Sequence, residues 1–593
     1  QVGQIQILWE SGRRNLPTSS LCWKSAGRWF YALSHKVCQA VRGEAIAWHL
    51  AQVLGLKNPQ RMVFHEITKE AITKALSNTR PLDLQRVAAQ ETRRIVDRLV
   101  GWEVTPKLRE MGYKLSAGRV QSAALVSLAK REQNIMNHVP APYYRVTAQA
   151  VAEKPFTALV VSDGESRLAT AKDFGPDGEL KTDAVMLGAA EIEQLTAHIN
   201  AAGLTVKDVA VRPYTTNPPA PFTTSTLQQA ASSLLKMSPQ QTMTTAQKLY
   251  ESGKITYMRT DSVNLSDEAV TAARAVAAAV YGAGSIPAQS RQYTSKGNAQ
   301  EAHEAIRPAG SSFVPPYQSG LEGEELALYT LIYNRTVACQ MNPLKGEETV
   351  LNLQSGSALL TASGRVILDA GFTVLYADES KKDADGQALP PVQAGQHWPA
   401  QASSEVKNTP APGRFSEASL VKALESAGVG RPSTFANIIS VLHERGFTVK
   451  KKDKLHVTWL GLLVAEYLRR EFPALVNLAF TASMETDLDR IAAGELSRVD
   501  YLTAFWSGDL EQVVLNASTE PPVLALPQFP GVSISAEYRQ VVMTQGIKSV
   551  ALQNNPYPTP GEMNKAFVTK AMQGDEVLPP MPVKKKGARG PKR

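Results

Sequence analysis

Apolar positions along this chain switch between helical and strand spacing. From residue 66 to 140 they recur at helical intervals. Between Leu84 and Val100, the residues Leu84, Val87, Ala88, Ile95 and Leu99 form an apolar stripe, opposite Arg86, Gln90, Arg93, Arg94 and Asp97. That pattern predicts an amphipathic helix. A second helical pattern runs from Ser116 to Ile135 and stops at the turn Pro140-Ala141-Pro142. From Tyr143 to about Pro213 the alternation in YYRVTAQAVA and FTALVVSD predicts strands. Asn217-Pro218-Pro219-Ala220-Pro221 reads as a stiff connector. Residues 223 to 340 return to helix, broken by a short apolar segment around Tyr257. Residues 346 to 400 read as strands, Thr409-Pro410-Ala411-Pro412-Gly413 as a linker, and 415 to 515 as helix with one hairpin. Prolines 521, 522, 527 and 530 break the chain before a β-rich module expected from Val532. The order helical, β, helical, β, helical predicts a chain that goes out and comes back through discontinuous domains.

Composition narrows the class. The 593 residues, with 43% apolar and 20% charged, suit several globular domains. A net charge of +9 is compatible with a polyanionic partner. Cys22, Cys38 and Cys339 are scattered without a CxxC pair, which argues against a disulfide framework and a cysteine-rich zinc site. No apolar run approaches the ~18 residues of a membrane span, and the N-terminus lacks a signal-peptide pattern. The chain begins at Gln1, so a fragment is expected. The terminal stretch Lys584 to Arg593 reads as a cationic tail, either solubilising or weakly attracted to DNA. No P-loop pattern is present, so no ATP site is expected.

The candidate chemistry centres on Lys254-Ile255-Thr256-Tyr257-Met258-Arg259-Thr260-Asp261-Ser262. If this segment is extended, Ile255, Tyr257 and Arg259 share a side. A phenolic oxygen beside a fixed guanidinium suits attack on a phosphodiester, with the cation steadying the phosphoryl oxygens. Elsewhere, Arg93 and Asp97 are four apart on a helix and can pair, leaving Arg94 to reach phosphate. Ser116-Ala117-Gly118-Arg119-Val120-Gln121-Ser122 puts small residues at a helix start, where backbone N–H groups can approach a phosphate. In Glu301-Ala302-His303-Glu304-Ala305-Ile306-Arg307-Pro308, His303 would stack over Arg307 on a helical turn. In Gly428-Val429-Gly430-Arg431-Pro432-Ser433-Thr434-Phe435, Ser433 or Thr434 can cap a helix. A basic hairpin around Lys450 follows, giving a winged-helix-like arrangement.

These segments, with PPAPFTTSTLQ after residue 217 and FTASMETDLD from Phe480, resemble the motifs of type IA DNA topoisomerases of the bacterial topoisomerase I kind. The resemblance implies a multidomain α+β fold closed into a torus, with an N-terminal α/β Toprim domain. It implies an incomplete Toprim domain at 1–65, a helical DNA-binding domain at 66–141 and 409–518, and a β-rich arch at 142–216 and 345–408. An active-site tyrosine domain at 217–344, a C-terminal module at 519–583 and a basic tail at 584–593 complete the division. It also implies ATP-independent cleavage of one DNA strand through a 5′-phosphotyrosine on Tyr257, strand passage and rejoining. Arg259 would steady the scissile phosphate, with His303 assisting. Arg93, Arg94, Asp97, Trp102, Arg109, Ser116, Ala117, Gly118, Arg119, Val120, Gln121, Arg259, Arg431, Ser433, Thr434, Arg445 and Phe447 would contact DNA. The FTASMETDLD segment reads as mainly structural. A cytoplasmic bacterial monomer is implied, using Mg²⁺ but neither ATP nor zinc.

The sequence departs from the family at its start. Gly43 to Leu50, GEAIAWHL, matches well, but the acidic DxDxE positions just before it hold Cys38, Ala40 and Arg42. Ile7-Leu8-Trp9-Glu10-Ser11 resembles the segment with the first glutamate, which makes Glu10 a candidate metal ligand. A truncated, rearranged or frame-shifted start is therefore expected, with supercoil relaxation weak or absent. The rival reading is a single-strand DNA-binding remnant. A tyrosine recombinase would need a different set of arginines and histidines.

Overall fold

The computed structural model describes residues 20–25, 28–33, 41–110, 115–293, 304–376, 387, 389–526, 529–537, 540–546, 548–552, 559–560 and 568. Glu10, Cys38, Ala40, Glu301, His303 and the basic tail lie outside these residues.

The first helical body is built around Leu84–Glu110, whose start is capped by Asp83: its Oδ1 accepts the N–H groups of Gln85 and Arg86, each at 3.1 Å. Of the expected apolar stripe only Val87 is fully buried. Leu84 is 62% exposed, Ile95 and Leu99 are half-buried, and the buried row is Val96, Val100, Val104 and Leu108. The reason is that the helix is wedged between Val41–Val53 on one side and Leu478–Ala493 on another, so more than one face is covered. Arg119–Met136 buries Ala124, Leu125, Leu128 and Ala129 in the same core. Leu420, Phe435, Ile439, Trp459 and Tyr467, from helices after residue 416, complete that core. The returning chain thus packs on the outgoing chain.

The same holds for the sheet. Its antiparallel order is His397–Trp398, Leu204–Thr216, Leu344–Ser355, Ala358–Asp369, Phe156–Ser162, Pro142–Ala150, Ala400–Asn408. One departure stands inside the stretch read as strands: Ala189–Ala202 is a helix. Glu191 accepts the Gly188 N–H at 2.6 Å, and Ile192 and Ile199 are buried one helical face apart. That helix packs along Ala400–Asn408.

After Phe435–Glu444 the hairpin Thr448–Lys451 and Lys454–Val457 turns at Lys452 and Asp453, both at positive φ (46° and 61°). This is the turn geometry that matches strand twist, and it gives the expected helix followed by a basic hairpin. His443 joins the two parts: its Nδ1 lies 3.1 Å from Thr448 O, and its Nε2 lies 3.7 Å from Glu417 Oε1. Lys450 Nζ donates to the other oxygen of Glu417 at 2.8 Å and stands 3.9 Å from Asp453. The Glu417 carboxylate holds His443 above the usual imidazole range. A raised folded-state value means this contribution is complete below about pH 6.5 and is lost as pH rises through that value. Thermal unfolding between pH 6 and 9 is expected to show a parent chain losing more stability with rising pH than His443→Gln. Equal pH slopes would contradict the ion pair.

Strands Leu524–Ala525, Val532–Glu537, Gln540–Gln545 and Lys548–Leu552 form a four-stranded antiparallel sheet, with Ile534, Val541 and Met543 packed into the first core. The tyrosine module has its own core, from Phe222 and Leu227 to Tyr329 and Phe372. Thr223, Ser238 and Ser266 cap its helices Thr224–Leu234, Pro239–Glu251 and Asp267–Tyr281. Among the described residues no helix is long and apolar enough to cross a membrane.

Candidate active site

Tyr257 lies in an irregular extended segment, not a regular strand. Ile255 forms an isolated bridge with Pro308, and Ile255, Thr256, Tyr257 and Met258 are all buried. The expected alternation of faces is therefore corrected: the segment is covered on both sides. Each peptide is anchored. The Thr256 N–H donates to Arg307 O at 2.9 Å, and the Tyr257 N–H to His65 O at 2.8 Å. Thr256 Oγ1 donates to Ala305 O at 2.8 Å and accepts the Arg307 N–H at 2.9 Å. The Tyr257 ring meets Tyr250 edge-on at 5.3 Å between centroids. Just before the segment, Gly253 adopts φ +67°, and a Cβ there would meet Ile67 O at 2.7 Å, so the chain passes too close for a side chain. Arg259 is half-buried and has no acidic partner among the described residues. A guanidinium so placed is available to an anion.

The neighbouring segment is extended where a helical turn was expected. Ile306 bridges Phe222, and Arg307 is buried. Arg307 grips Glu304 with Nε–Oε1 at 2.7 Å and Nη2–Oε2 at 2.9 Å, and reaches Glu66 Oε2 at 3.1 Å. Burial pushes the Glu304 carboxyl up, but Arg307 outweighs it and holds the carboxyl below its usual range. Arg307 is committed to tying residues 304–310 to the 65–66 strip, both of which hold the Tyr257 backbone. His303, and with it the expected stack over Arg307, lies outside the described residues.

The arginines of the helical body converge on a residue the motif reading treated as structural. Buried Glu485 accepts from Arg93 Nη1 at 2.8 Å and Arg119 Nη2 at 2.9 Å, with Arg431 Nε 3.2 Å away. Arg119 Nε also donates to Asp97 at 3.0 Å, and Arg431 Nη2 to Asp489 at 2.6 Å. The expected Arg93–Asp97 pair is thus replaced by Arg93–Glu485 and Arg119–Asp97, because Leu478–Ala493 packs directly against Leu84–Glu110. Burial raises the Glu485 carboxyl, yet the arginine charges prevail and keep it below its usual range. Arg119 is buried and held by its two acids, so it frames the site from below.

Above that hub lies a cleft of 420 Å³ lined by Ala45, Ile46, His49, Gln90, Arg93, Arg94, Asp97 and Arg98. Arg94, Arg98 and Trp102 follow at i, i+4, i+8 along its exposed rim, with the Arg98 guanidinium 5.4 Å from the Trp102 ring centre. Trp102 is 64% exposed, an unusual position for a large apolar ring and a natural platform for a base. Arg98 and His49 were missed in the sequence. The signal for Arg98 was present in its four-residue spacing from both Arg94 and Trp102.

The other expected contacts divide. Arg109 Nε donates to Leu115 O at 3.2 Å, and Arg445 Nη1 to Ser116 O at 2.7 Å, so both brace the loop before Arg119. The Ala117 N–H is satisfied by Thr105 Oγ1 at 3.0 Å. Gln121 folds back so that its Nε2 would stand 1.7 Å from a Cβ on Gly118, so a larger residue there would displace the amide. Val120 packs partly against the core and Ser433 is half-buried. Thr434 sits at the start of its helix but makes no side-chain cap bond; its Oγ1 instead accepts the Arg431 N–H at 2.9 Å. Phe447 is a correction: its ring is in the core and is closed to any base.

A magnesium cage does not fit the described residues. Among them no three His, Cys, Asp or Glu side chains cluster. Buried Glu44, the acid of GEAIAWHL, is ion-paired to Arg80 and stands 3.5 Å from Arg61 Nε. A carboxylate so engaged has no free charge for a hard cation.

The family model for DNA topoisomerase, Topoisom_bac, matches residues 81–503, more than half of the chain. A DNA topoisomerase 1 of Mycolicibacterium smegmatis is 44% identical over 495 residues, covering 79% of this chain and 53% of the relative. One from Synechocystis is also 44% identical, covering 79% and 54%. The chain thus spans about half the length of these curated relatives. The solved structure of full-length topoisomerase I from Thermotoga maritima superposes with a TM-score of 0.73 at 30% identity, covering 89% of this chain and 86% of that one. The multidomain α+β architecture expected for a type IA topoisomerase is the one found, and the chain belongs to the bacterial DNA topoisomerase I family.

Proposed function

We propose that this chain cleaves one strand of DNA through Tyr257 and rejoins it without ATP, the type IA reaction that relaxes negative supercoils. The Tyr257 oxygen attacks phosphorus and loses its proton to solvent or a nearby base. The P–O3′ bond breaks, the 3′ oxygen takes up a proton, and the 5′ phosphate stays on the tyrosine. The reverse attack by the 3′-hydroxyl restores the strand, so the bond energy is conserved. Arg259 balances charge on the non-bridging oxygens. His303 assists by donating to the scissile phosphate. The carrying observation is the buried, doubly anchored Tyr257 backbone with a half-buried guanidinium two residues on that has no acidic partner among the described residues. The partner is single-stranded or underwound DNA, and the working form is a cytoplasmic monomer.

The test is to incubate the chain with a single-stranded oligonucleotide, denature it, and look for a covalent adduct on the 5′-phosphate end of the downstream fragment. Absence of any adduct would leave only the binding remnant, the reading favoured by Cys38, Ala40 and Arg42 in the acidic positions. Adduct without Mg²⁺-dependent relaxation would mark a chain that cuts but does not complete the cycle.

In this reading the Arg94–Arg98–Trp102 rim holds the strand. Trp102→Ala is expected to weaken oligonucleotide binding by about 1–3 kcal/mol, the worth of one stacked base. Arg94→Ala is expected to reduce the salt dependence of log K by about 0.7, one phosphate contact on a single strand. Anisotropy titrations across salt concentrations measure both, and an unchanged salt slope would remove Arg94 from the interface.

A further inference from the structure

The helix Thr224–Leu234 engages two bodies in its first turn. Fully buried Thr224 donates its hydroxyl to Met258 O at 2.8 Å and accepts the Thr260 N–H at 2.9 Å, while its own N–H donates to Thr260 O at 2.9 Å. These bonds clamp the backbone on both sides of Arg259. The next residue, buried Ser225, donates to Glu425 Oε2 at 2.7 Å and accepts Gln229 Nε2 at 3.0 Å.

Glu425 belongs to Glu417–Ser426, whose Leu420, Val421 and Leu424 lie in the core of the arginine-bearing body. It sits in the last turn of its own helix, where the backbone dipole disfavours a carboxylate. Docking brings it to the first turn of Thr224–Leu234, where the dipole favours one. The carboxylate thus gains from docking, since the unfavourable end of its own helix is present in either state. The two helices pack against each other, while their apolar residues feed separate cores. Ala436 of Phe435–Glu444 also touches the tyrosine-module core, but each body keeps a core of its own, so the contact can separate and re-form.

We propose that Ser225 and Glu425 latch the tyrosine module onto the arginine-bearing body, and that Thr224 is a positioning residue that turns docking into placement of Tyr257 and Arg259. The coupling half rests on the assigned role of Tyr257; the latch half does not. Undocking pulls on Ser225, and the adjacent Thr224 carries that displacement to the backbone around Arg259.

The test uses the full chain with dyes on Gln240→Cys and Lys422→Cys, both exposed sites on the facing bodies. Cys22 and Cys38 are replaced by serine, and buried Cys339 is kept. Single-molecule energy transfer then reads docking, and adduct formation on a saturating oligonucleotide reads positioning. E425A is expected to shift the docking equilibrium toward separation by about tenfold, the loss of one charge-assisted hydrogen bond, and to slow adduct formation in parallel. E425Q, which still accepts from Ser225 but carries no charge, should recover part of both. T224A should leave docking unchanged and slow adduct formation, with recovery in T224S, while oligonucleotide affinity stays at the parent value in all variants. Unchanged docking in E425A overturns the latch. Undocking with the parent adduct rate overturns the coupling, as does a parent rate in T224A. A parent chain that forms no adduct refutes the role of Tyr257 and the coupling together, and the docking distances then decide the latch alone.

Discussion

Tyr257→Phe is expected to form no covalent DNA adduct at all, while folding and binding oligonucleotide like the parent. The substitution deletes one oxygen, and that oxygen is the proposed nucleophile. The ring's edge-on contact with Tyr250 and both backbone anchors, to His65 and through Thr256 to Arg307, do not involve it. Loss of a hydroxyl changes stability by about 1 kcal/mol. Loss of the nucleophile removes the whole rate. Denaturing gels with 3′-labelled oligonucleotide, alongside melting curves, separate the two effects. A residual adduct in the phenylalanine variant would transfer the nucleophile to another residue, and a collapsed melting curve would mean the hydroxyl is structural.

Glu485→Ala is expected to destabilise the helical body by about 3–5 kcal/mol, the usual result of removing one partner from a buried ion-pair network. Glu485 is the common acceptor for Arg93, Arg119 and Arg431. Without it these cations face one another, and buried Arg119 retains only Asp97. The Glu485 carboxyl titrates below its usual range in the folded chain. Its contribution is therefore complete above about pH 4.5 and is lost as pH falls through the depressed value. The parent should lose stability on acidification more steeply than the variant. Calorimetry from pH 3 to 7 measures both the offset and the slope. Parallel slopes, or a shift under 1 kcal/mol, would contradict the hub.

Much of the local structure was legible. Proline and glycine linkers, the helix after Gly118 and the basic hairpin follow from short-range pattern, since capping, turn chemistry and periodicity act within a few residues. The failures share a cause. The buried row of Leu84–Glu110 is shifted because a helix covered on several faces has no single stripe to read. Ala189–Ala202 was overlooked inside a strand-like region, although Ile192 and Ile199 carry helical spacing. The Tyr257 segment has the composition of a strand yet is held by loops from residues 65 and 305–307.

The candidate site divides the same way. Sequence singled out Tyr257, Arg259 and the arginines, because residue type and spacing carry reactivity. It could not say which arginines are free. Arg93, Arg119 and Arg431 look like Arg94 and Arg98 on paper, and only folding brings Glu485, with Asp97 and Asp489, against the first three and leaves the rim to the others. Phe447 likewise looked available until the core closed over it.

The sequence alone determined the family motifs, the candidate nucleophile and the absence of carboxylates at positions 38, 40 and 42. The tertiary structure decided which charges cancel, which rings are exposed and how the tyrosine module meets the rest. The physical reason is range. Propensity, capping and turn preference are set by neighbours along the chain, whereas burial and ion pairing depend on groups that only folding brings within a few ångströms.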